Sequence, residues 1–192
     1  TKSWVQKFLY EEMPAELKPW GASHFVFAGT TISGFSEEGK KKLESDTNVI
    51  LPRQNPDGEA VTAIGSNAFA EAGMTTVQIP DTVTTIGLAA FRAAKLTSVT
   101  LPDSVTTLSS GAFTNCSDLT QITLSKGLTE IAQSVFNFTN LQDVVIPEGV
   151  TTIGRMAFRN SPIKSLSLPD TVTTIDQQAF FGNQLSELTI PS

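Results

Sequence analysis

Residues 83–104 read Val83-Thr-Thr-Ile86-Gly-Leu-Ala-Ala90-Phe91-Arg-Ala-Ala-Lys-Leu96-Thr-Ser-Val99-Thr-Leu101-Pro102-Asp-Ser104, and the same order of residue types returns along the chain. Alanine or valine precedes phenylalanine at Phe69, Phe91, Phe113, Phe136, Phe158 and Phe180, with spacings of 22, 22, 23, 22 and 22 residues. Two apolar columns keep the same step: Ile64, Ile86, Leu108, Ile131, Ile153, Ile175, and Val61, Val83, Val105, Leu128, Val150, Val172. A fourth column is Pro80, Pro102, Pro147, Pro169 and Pro191, with Ser125 in the proline place of the one unit that lacks it. A fixed period near 20 residues is the mark of a repeat architecture, so the fold is read from the unit.

The stretch Leu96-Thr-Ser-Val99-Thr-Leu101 has the inward-outward alternation of a short strand. Proline behind it removes a backbone donor, and Pro-Asp-Ser/Thr favours a tight turn. Val-Thr-Thr-Ile supplies a second short extended piece of high β propensity. Gly87 to Phe91 and its equivalents read as a helical or 3₁₀ turn that drives Ala and Phe inward. Each unit thus predicts one tier of a coil. A single tier cannot bury its Phe, Ile, Val and Leu residues alone, whereas parallel tiers about 4.8 Å apart at the strands set each Phe on the next.

The unit Val-Thr-Thr-Ile-Gly-x-x-Ala-Phe followed by Leu-Thr-x-Val-x-Leu-Pro-Asp-Ser resembles the BspA-type leucine-rich repeat of bacterial cell-surface proteins, over about residues 61–192. The resemblance implies an α/β repeat solenoid, a curved right-handed coil of short parallel strands with short helical or 3₁₀ turns. It further implies an extracellular or cell-surface location on a bacterium and a role in adhesion or protein recognition, and no catalytic residue. Pro stands where many leucine-rich repeats carry Asn, so no buried Asn ladder is expected.

Six units are expected, at 61–82, 83–104, 105–127, 128–149, 150–171 and 172–192. Residues 30–60 read as an atypical capping repeat whose Leu51-Pro52 matches the strand-proline ending, and whose loop Arg53 to Ala60 leads into the first regular unit. A terminal tier must hide the apolar end of the stack, which explains its departure from the pattern. Residues 1–29 hold both tryptophans, the tyrosine and the histidine, and read as a small α+β cap. In it, Ser3 to Gln6 form a capping box for a helix with Trp4, Val5, Phe8 and Leu9, Pro14 ends that helix, and His24 to Phe27 form a strand. Trp4, Phe8 and Trp20 are expected to pack on the first repeat. The chain starts at Thr1 and stops part-way through a unit without polar capping residues, so the expectation is an excised segment followed by more repeats or another domain.

A net charge of −6 argues against nucleic acid as the main partner, because binding phosphates needs clustered Lys and Arg. The single basic run, Lys40-Lys41-Lys42, follows Glu37 and Glu38 at a spacing that pairs i with i+4 on a short solvated helix. No run of about 18 apolar residues occurs, so this segment is not expected to insert into a membrane. His24 is the sole histidine, which removes imidazole-based metal clusters and leaves it a structural residue. Cys116 is the sole cysteine and is expected to be buried and inert, since a nucleophile would need an activating base. Asp81, Asp103, Glu148 and Asp170 recur at the turn after each strand, where Asx-type turn bonding accounts for them better than a Ca²⁺ ladder. No catalytic, cofactor or metal residues are assigned. The sequons Asn115-Cys-Ser and Asn137-Phe-Thr receive no role, and Leu168-Pro-Asp-Thr171 is a repeat segment rather than a sorting signal, with Val172 where glycine is needed.

Any binding is expected on the outward strand positions, among them Gln78, Thr100, Gln121, Thr123, Asp143, Ser165, Ser167 and Glu187, or on Phe138 and Phe181 in the variable turns. The strand set is small and polar, suited to hydrogen bonding with a peptide or glycan, yet short of the Trp, Tyr and Arg anchors that concentrate binding energy. Two uses therefore stand side by side at this point. One is a non-catalytic interaction or adhesion module whose partner is a host or bacterial surface protein or glycan. The other is a stalk or spacer for another domain, or an accessory array of a surface hydrolase.

Overall fold

A computed structural model describes residues 18–189, with residues 187–189 described as backbone only. The capping box, the helix of Trp4 to Leu9, Pro14 and Pro191 lie outside the described residues. Two strands open the chain, β1 (Phe25–Ala28) and β2 (Thr31–Phe35), followed by α1 (Glu37–Leu43) and β3 (Asn48–Ile50). Two series of very short strands then alternate. The first, from the Thr-Ile half of each unit, is β4 (Ala63–Ile64), β6 (Thr85–Ile86), β8 (Thr107–Leu108), β10 (Glu130–Ile131), β12 (Thr152–Ile153) and β14 (Thr174–Ile175). The second is β5 (Thr76–Gln78), β7 (Ser98–Thr100), β9 (Gln121–Thr123), β11 (Asp143–Val145), β13 (Ser165–Ser167) and β15 (Glu187–Thr189). Paired strands in both series are parallel and in register by one unit, as in Thr85↔Thr107 and Ser98↔Gln121. This is the repeat coil that the period predicts.

The phenylalanines stack. Ring centroids of Phe91 and Phe113 are 5.1 Å apart at 2°, Phe113 and Phe136 5.6 Å at 6°, and Phe158 and Phe180 5.5 Å at 4°. Phe69, Phe91, Phe113, Phe136 and Phe158 are completely buried, as are the Val61 and Ile64 columns through Val150 and Ile153. The final tier's Val172, Ile175 and Phe180 are less so.

The turn after each Val-Thr-Thr-Ile is more specific than a helical or 3₁₀ element. In the second unit Ala90, Arg92 and Ala94 donate their N–H groups locally to Gly87, Ala89 and Phe91 carbonyls, whereas Ala89, Phe91 and Ala93 donate to Ser110, Ala112 and Thr114 in the next tier. Local bonds are of 3₁₀ type, but every second amide leaves for the neighbour. Two left-handed residues per unit, Ala89 (φ 50°) and Ala93 (φ 56°) here, turn those amides outward and prevent a helix from propagating. The pattern runs through every tier boundary, so the turn edge is a third ladder that strand-based reading does not reveal.

The strand ladders do not run through. The sheets are β1-β2-β4-β6-β8 and β3-β5-β7-β9 on one side of the boundary after the third unit, and β10-β12-β14 and β11-β13-β15 on the other. Leu101 N–H donates to Thr123 O and Ile146 N–H to Ser167 O, and Gly154 N–H donates to Ile131 O. Among the described residues, no such bond joins the equivalent Leu124 or Ala132 amide across the break. The third unit, the last tier of both N-terminal sheets, is also the one with 23 residues and Ser125 for proline. Its hydroxyl has a job. Ser104 Oγ and Thr171 Oγ1, at the ends of their units, donate to the Val83 and Val150 carbonyls at the starts of the same units, one turn of the coil back, at 2.7 and 2.8 Å. Gly127 occupies their position in the third unit and has no hydroxyl, and buried Ser125 Oγ instead donates to Val105 O at 2.6 Å while accepting from Gly127 N–H.

At the N-terminal end β1 and β2 form an antiparallel hairpin, β2 continues into β4, and β3 pairs with β5, so the cap is hydrogen-bonded to the first tier on both faces. Trp20 is buried there, its indole N–H donating to Asn48 O at 3.1 Å and its ring packed on Phe25 and Phe35. Phe35 extends the spine to Phe69 at 4.8 Å. The loop into the first unit is pinned by buried Asn55, which accepts from the Asp57 and Glu59 amides and donates to Gly29 O. Helix α1 is capped by Ser36 Oγ, but its charges do not pair as the spacing suggests. Lys40 bonds Glu37 at i+3, and Lys42 turns away from Glu38 to Asp46 and the Trp20 face, because the following turn brings a carboxylate beside the indole. Burial raises the Asp46 carboxyl, yet hydrogen bonds from Lys42 and the Asn48 amide, with the Lys42 charge, outweigh it and hold the group below its usual range.

Candidate functional site

The outward strand positions form one edge of the stack. Gln78, Thr100, Gln121, Thr123, Asp143 and Ser167 are exposed and Ser165 is half-buried, while Val77, Val99, Val144 and Leu166 between them point into the core. Glu187 continues the row in register with Ser165. Gln78 and Thr100 line a cleft of about 340 Å³ with Thr76, Ser98 and Pro102. A larger one, of about 480 Å³, spans the sheet break and is lined by Ile122, Thr123, Leu124, Lys126, Asp143, Val145, Pro147 and Glu148. Two chemistries converge in it. Val145 is 69% exposed and Ile122, the one inward strand residue of its row that is only half-buried among the described side chains, lines the same cleft, giving an apolar floor. Lys126, Asp143 and Glu148 give charges of both signs. The break contributes Ile122 to this site: where β9 and β11 do not pair, that strand centre is half-open, whereas Val145 stands at an outward position of its strand. The missing bonds could not be read from the columns, although the 23-residue unit and Ser125 flag the tier where they occur.

The turn edge carries the other candidates. Phe138 and Phe181 are 48% and 56% exposed, and Arg159 lies between them with its guanidinium carbon 6.0 Å and 5.5 Å from the two ring centroids. The sequence places the two phenylalanines 43 residues apart, and the coil brings both to one arginine. Arg159 was not legible as their partner, because the two rings sit in different columns of their units, Phe138 two residues past its spine Phe and Phe181 one residue past.

Three residues past the spine Phe, the last four units carry a polar column, where the first two have Ala72 and Ala94, that the proline-for-asparagine argument did not anticipate. Cys116 Sγ donates to Phe91 O at 3.0 Å, Ser161 Oγ to Phe136 O at 2.9 Å, and Asn183 Nδ2 to Phe158 O at 2.8 Å, each a spine carbonyl of the preceding tier. Thr139 Oγ1 is 2.8 Å from Ser161 Oγ within the same column. These groups add a donor to buried spine carbonyls, Phe91 O also accepting from Ala94 N–H and Phe136 O from Thr139 Oγ1. Cys116 is buried, as expected, and burial pushes its thiol up to about 12, which keeps it protonated at neutral pH.

The carboxylates behind the strands do not form Asx turns. The turns close through backbone, Val83 N–H to Pro80 O and Val105 N–H to Pro102 O, because proline already sets the geometry. Asp81 instead pairs with Arg53, and Asp103 accepts from the Lys126 amide of the next tier. Among the described residues no group of three His, Cys, Asp or Glu side chains is placed to hold a metal ion, and no helix is long and apolar enough to cross a membrane. His24 is half-buried at a 3₁₀ turn, its Nδ1 3.0 Å from Gly21 O.

The model of the BspA type leucine rich repeat region matches residues 59–192 in six copies. A leucine rich cell surface protein from Faecalibacterium prausnitzii is similar in structure with a TM-score of 0.72 and 31% identity, over 95% of this chain and 50% of that one. The chain therefore spans half the length of that protein. The leucine rich repeat protein of T. pallidum has a TM-score of 0.54 at 24% identity over 88% of this chain and 69% of its own, and shares the fold. The pneumococcal vaccine antigen PcpA shares it likewise, with a TM-score of 0.54 at 21% identity over 69% of this chain and 31% of its own. No curated protein sequence matches the chain.

Proposed function

The chain belongs to the BspA-type leucine-rich repeat family of bacterial surface proteins, and from that premise we propose that it is a non-catalytic, extracellular interaction module that adheres to a surface protein of a host or of another bacterium. The observation that carries the reading is the cleft across the sheet break. It combines a half-open apolar floor, Ile122 and Val145, with charged neighbours of both signs, the composition of a protein-binding patch. The polar strand row on either side, from Gln78 to Glu187, supplies hydrogen-bonding groups at regular steps along the stack.

An array of purified host matrix proteins, bacterial surface proteins and glycans tests the reading. Saturable binding to a protein, weakened in a Val145→Glu variant that places a charge on the apolar floor, is the expected result. Uniform absence of binding would overturn it and leave the chain a spacer.

A further inference from the structure

The turn edge contains an internal control. In the first two tiers, the position two residues past the spine Phe is Glu71, and the next tier's position one past the spine is Arg92. Glu71 N–H donates to Arg92 O, and the side chains close an ion pair of 2.9 Å. Three tiers on, the same pair of positions holds Phe138 and Arg159, and Phe138 N–H donates to Arg159 O in the same way. The backbone is thus equivalent, down to the left-handed φ of 62° at Glu71 and 56° at Phe138. The chemistry is not. Where Arg92 has a carboxylate, Arg159 has an aromatic ring, and a second ring, Phe181, approaches it from the following tier.

Arg159 is left with no carboxylate within ion-pair distance among the described residues, and its buried Nε–H has no acceptor. Arg155, exposed in the same turn run, has none either, and Asp176 at the start of the next tier's run pairs with neither. In the first three tiers Arg92, Lys95 and Lys126 all have carboxylate partners, as does Arg53 in the loop before them. Of the four buried side-chain polar atoms without a partner among the described residues, three lie on this stretch of the turn edge: Asn137 Oδ1, Arg159 Nε and Asn183 Oδ1. An arginine between two half-exposed rings is shielded from water on its faces while its planar fork stays matched to a carboxylate, which strengthens a charge-assisted bond. Phenyl rings, unlike Tyr or Trp, offer no hydrogen bond to sugar hydroxyls and favour an apolar neighbour for the carboxylate.

We propose that Phe138, Arg159 and Phe181 form a docking point for a Glu or Asp side chain flanked by an apolar residue in a peptide segment of a partner protein. This rests on the reading of the chain as an interaction module and places a second contact on the edge opposite in chemistry to the polar strand row.

The test titrates the ¹⁵N-labelled chain with an acetylated, amidated peptide of alternating Glu and Leu, with its Gln-Leu counterpart, and with an oligouronate. The expected result is a saturable shift of the Arg159 Nε–H resonance and the Phe138 and Phe181 amides with the Glu-Leu peptide alone. Phe138→Glu, which installs the residue that Glu71 already places at this backbone position, supplies an internal carboxylate and should lower affinity at least about tenfold without unfolding the chain. Arg159→Lys should lower it similarly, since lysine lacks the fork. No shift with the Glu-Leu peptide, equal shifts with the Gln-Leu peptide, binding of the oligouronate alone, or undiminished affinity in Phe138→Glu would each overturn the proposal. A parent chain that binds array proteins equally well as Phe138→Glu would sink this docking point and leave the interaction module standing, whereas a chain that binds no array protein removes the module itself.

Discussion

The two long edges of the stack meet the same tier boundaries and treat them differently. Along the turn edge, Phe stacking and alternating cross-tier amides run without interruption from the first unit to the last. Along the strand edge, both ladders stop after the third unit. The comparison teaches that the turn edge holds the tiers in register, so that the strand edge is free to lose bonds and leave the inward Ile122 half-open beside the outward Val145. A ladder of two- and three-residue strands contributes few hydrogen bonds per boundary, each worth about 1 kcal/mol net. A buried ring contributes several times that.

Breaking the turn edge should therefore be the most damaging change. Phe113→Ala should lower stability by about 3–5 kcal/mol through lost transfer energy and a cavity between Phe91 and Phe136. Val145→Ala, on the exposed floor of the strand-edge cleft, should change it by less than about 0.5 kcal/mol. Equal urea midpoints for Phe113→Ala and the parent would show that the spine does not hold the stack.

Next in size is Gly87→Ala. A Cβ there would lie 2.8 Å from the Gly65 carbonyl carbon and the Ser66 amide nitrogen, backbone atoms of the preceding tier that cannot swing aside. The two tiers must separate locally, and a loss of about 1–3 kcal/mol in the same melt is expected. Parent-like stability would mean that tier spacing is softer than the stacked rings imply.

Amide exchange sharpens the contrast further. Leu124 and Ala132 amides at the break should exchange at least about fivefold faster than Leu101 and Ser109, the equivalents bonded across intact boundaries, a difference of about 1 kcal/mol. Cys116, on the turn edge of the same third tier, should resist iodoacetamide at pH 8 until the whole chain unfolds, since its thiol is buried and pushed up to about 12. Alkylation that keeps pace with exchange at Leu124 would contradict the continuity of the turn edge.

A small effect, and one of opposite sign, is expected at Phe138. Every other residue of its left-handed column is Glu, Ala, Asn or Gly, and a bulky ring at φ 56° is strained. Phe138→Gly should raise stability by up to about 1 kcal/mol in thermal unfolding, the relief of strain being partly offset by the lost Arg159 contact. A fall in stability would mean that the ring serves the fold rather than a partner.

Much of this was legible in the columns. Period, strand positions, inward Phe and Ile and the burial of Cys116 all follow from residue type and spacing, whereas Trp20, expected on the first repeat, packs on Phe25 and Phe35 of the cap. The helical reading of Gly87 to Phe91 was too coarse, because Gly-x-x-Ala-Phe favours a tight turn without stating where alternate amides point. The Asx reading of Asp81 and Asp103 went astray since proline closes those turns through backbone and leaves each carboxylate for the neighbouring tier. At the candidate site, Thr123 and Asp143 were expected on the surface and lie on the cleft, and Arg159 was expected in an exposed turn, whereas the half-exposure of Ile122 and the placement of Arg159 between Phe138 and Phe181 were not foreseen.

By itself the amino-acid order determined how many tiers stack and which side chains fill them, because a 22-residue step with apolar residues at fixed offsets leaves no other way to bury them. Only the tertiary structure decided which neighbours meet across tiers. Glu71 and Phe138 occupy the same place in their units, yet one pairs its arginine with charge and the other with a ring, and no single unit contains both partners. Contacts between tiers depend on register and on the few cross-tier bonds that form or fail, and that is where the ladders break and the cleft and the unpaired arginine arise.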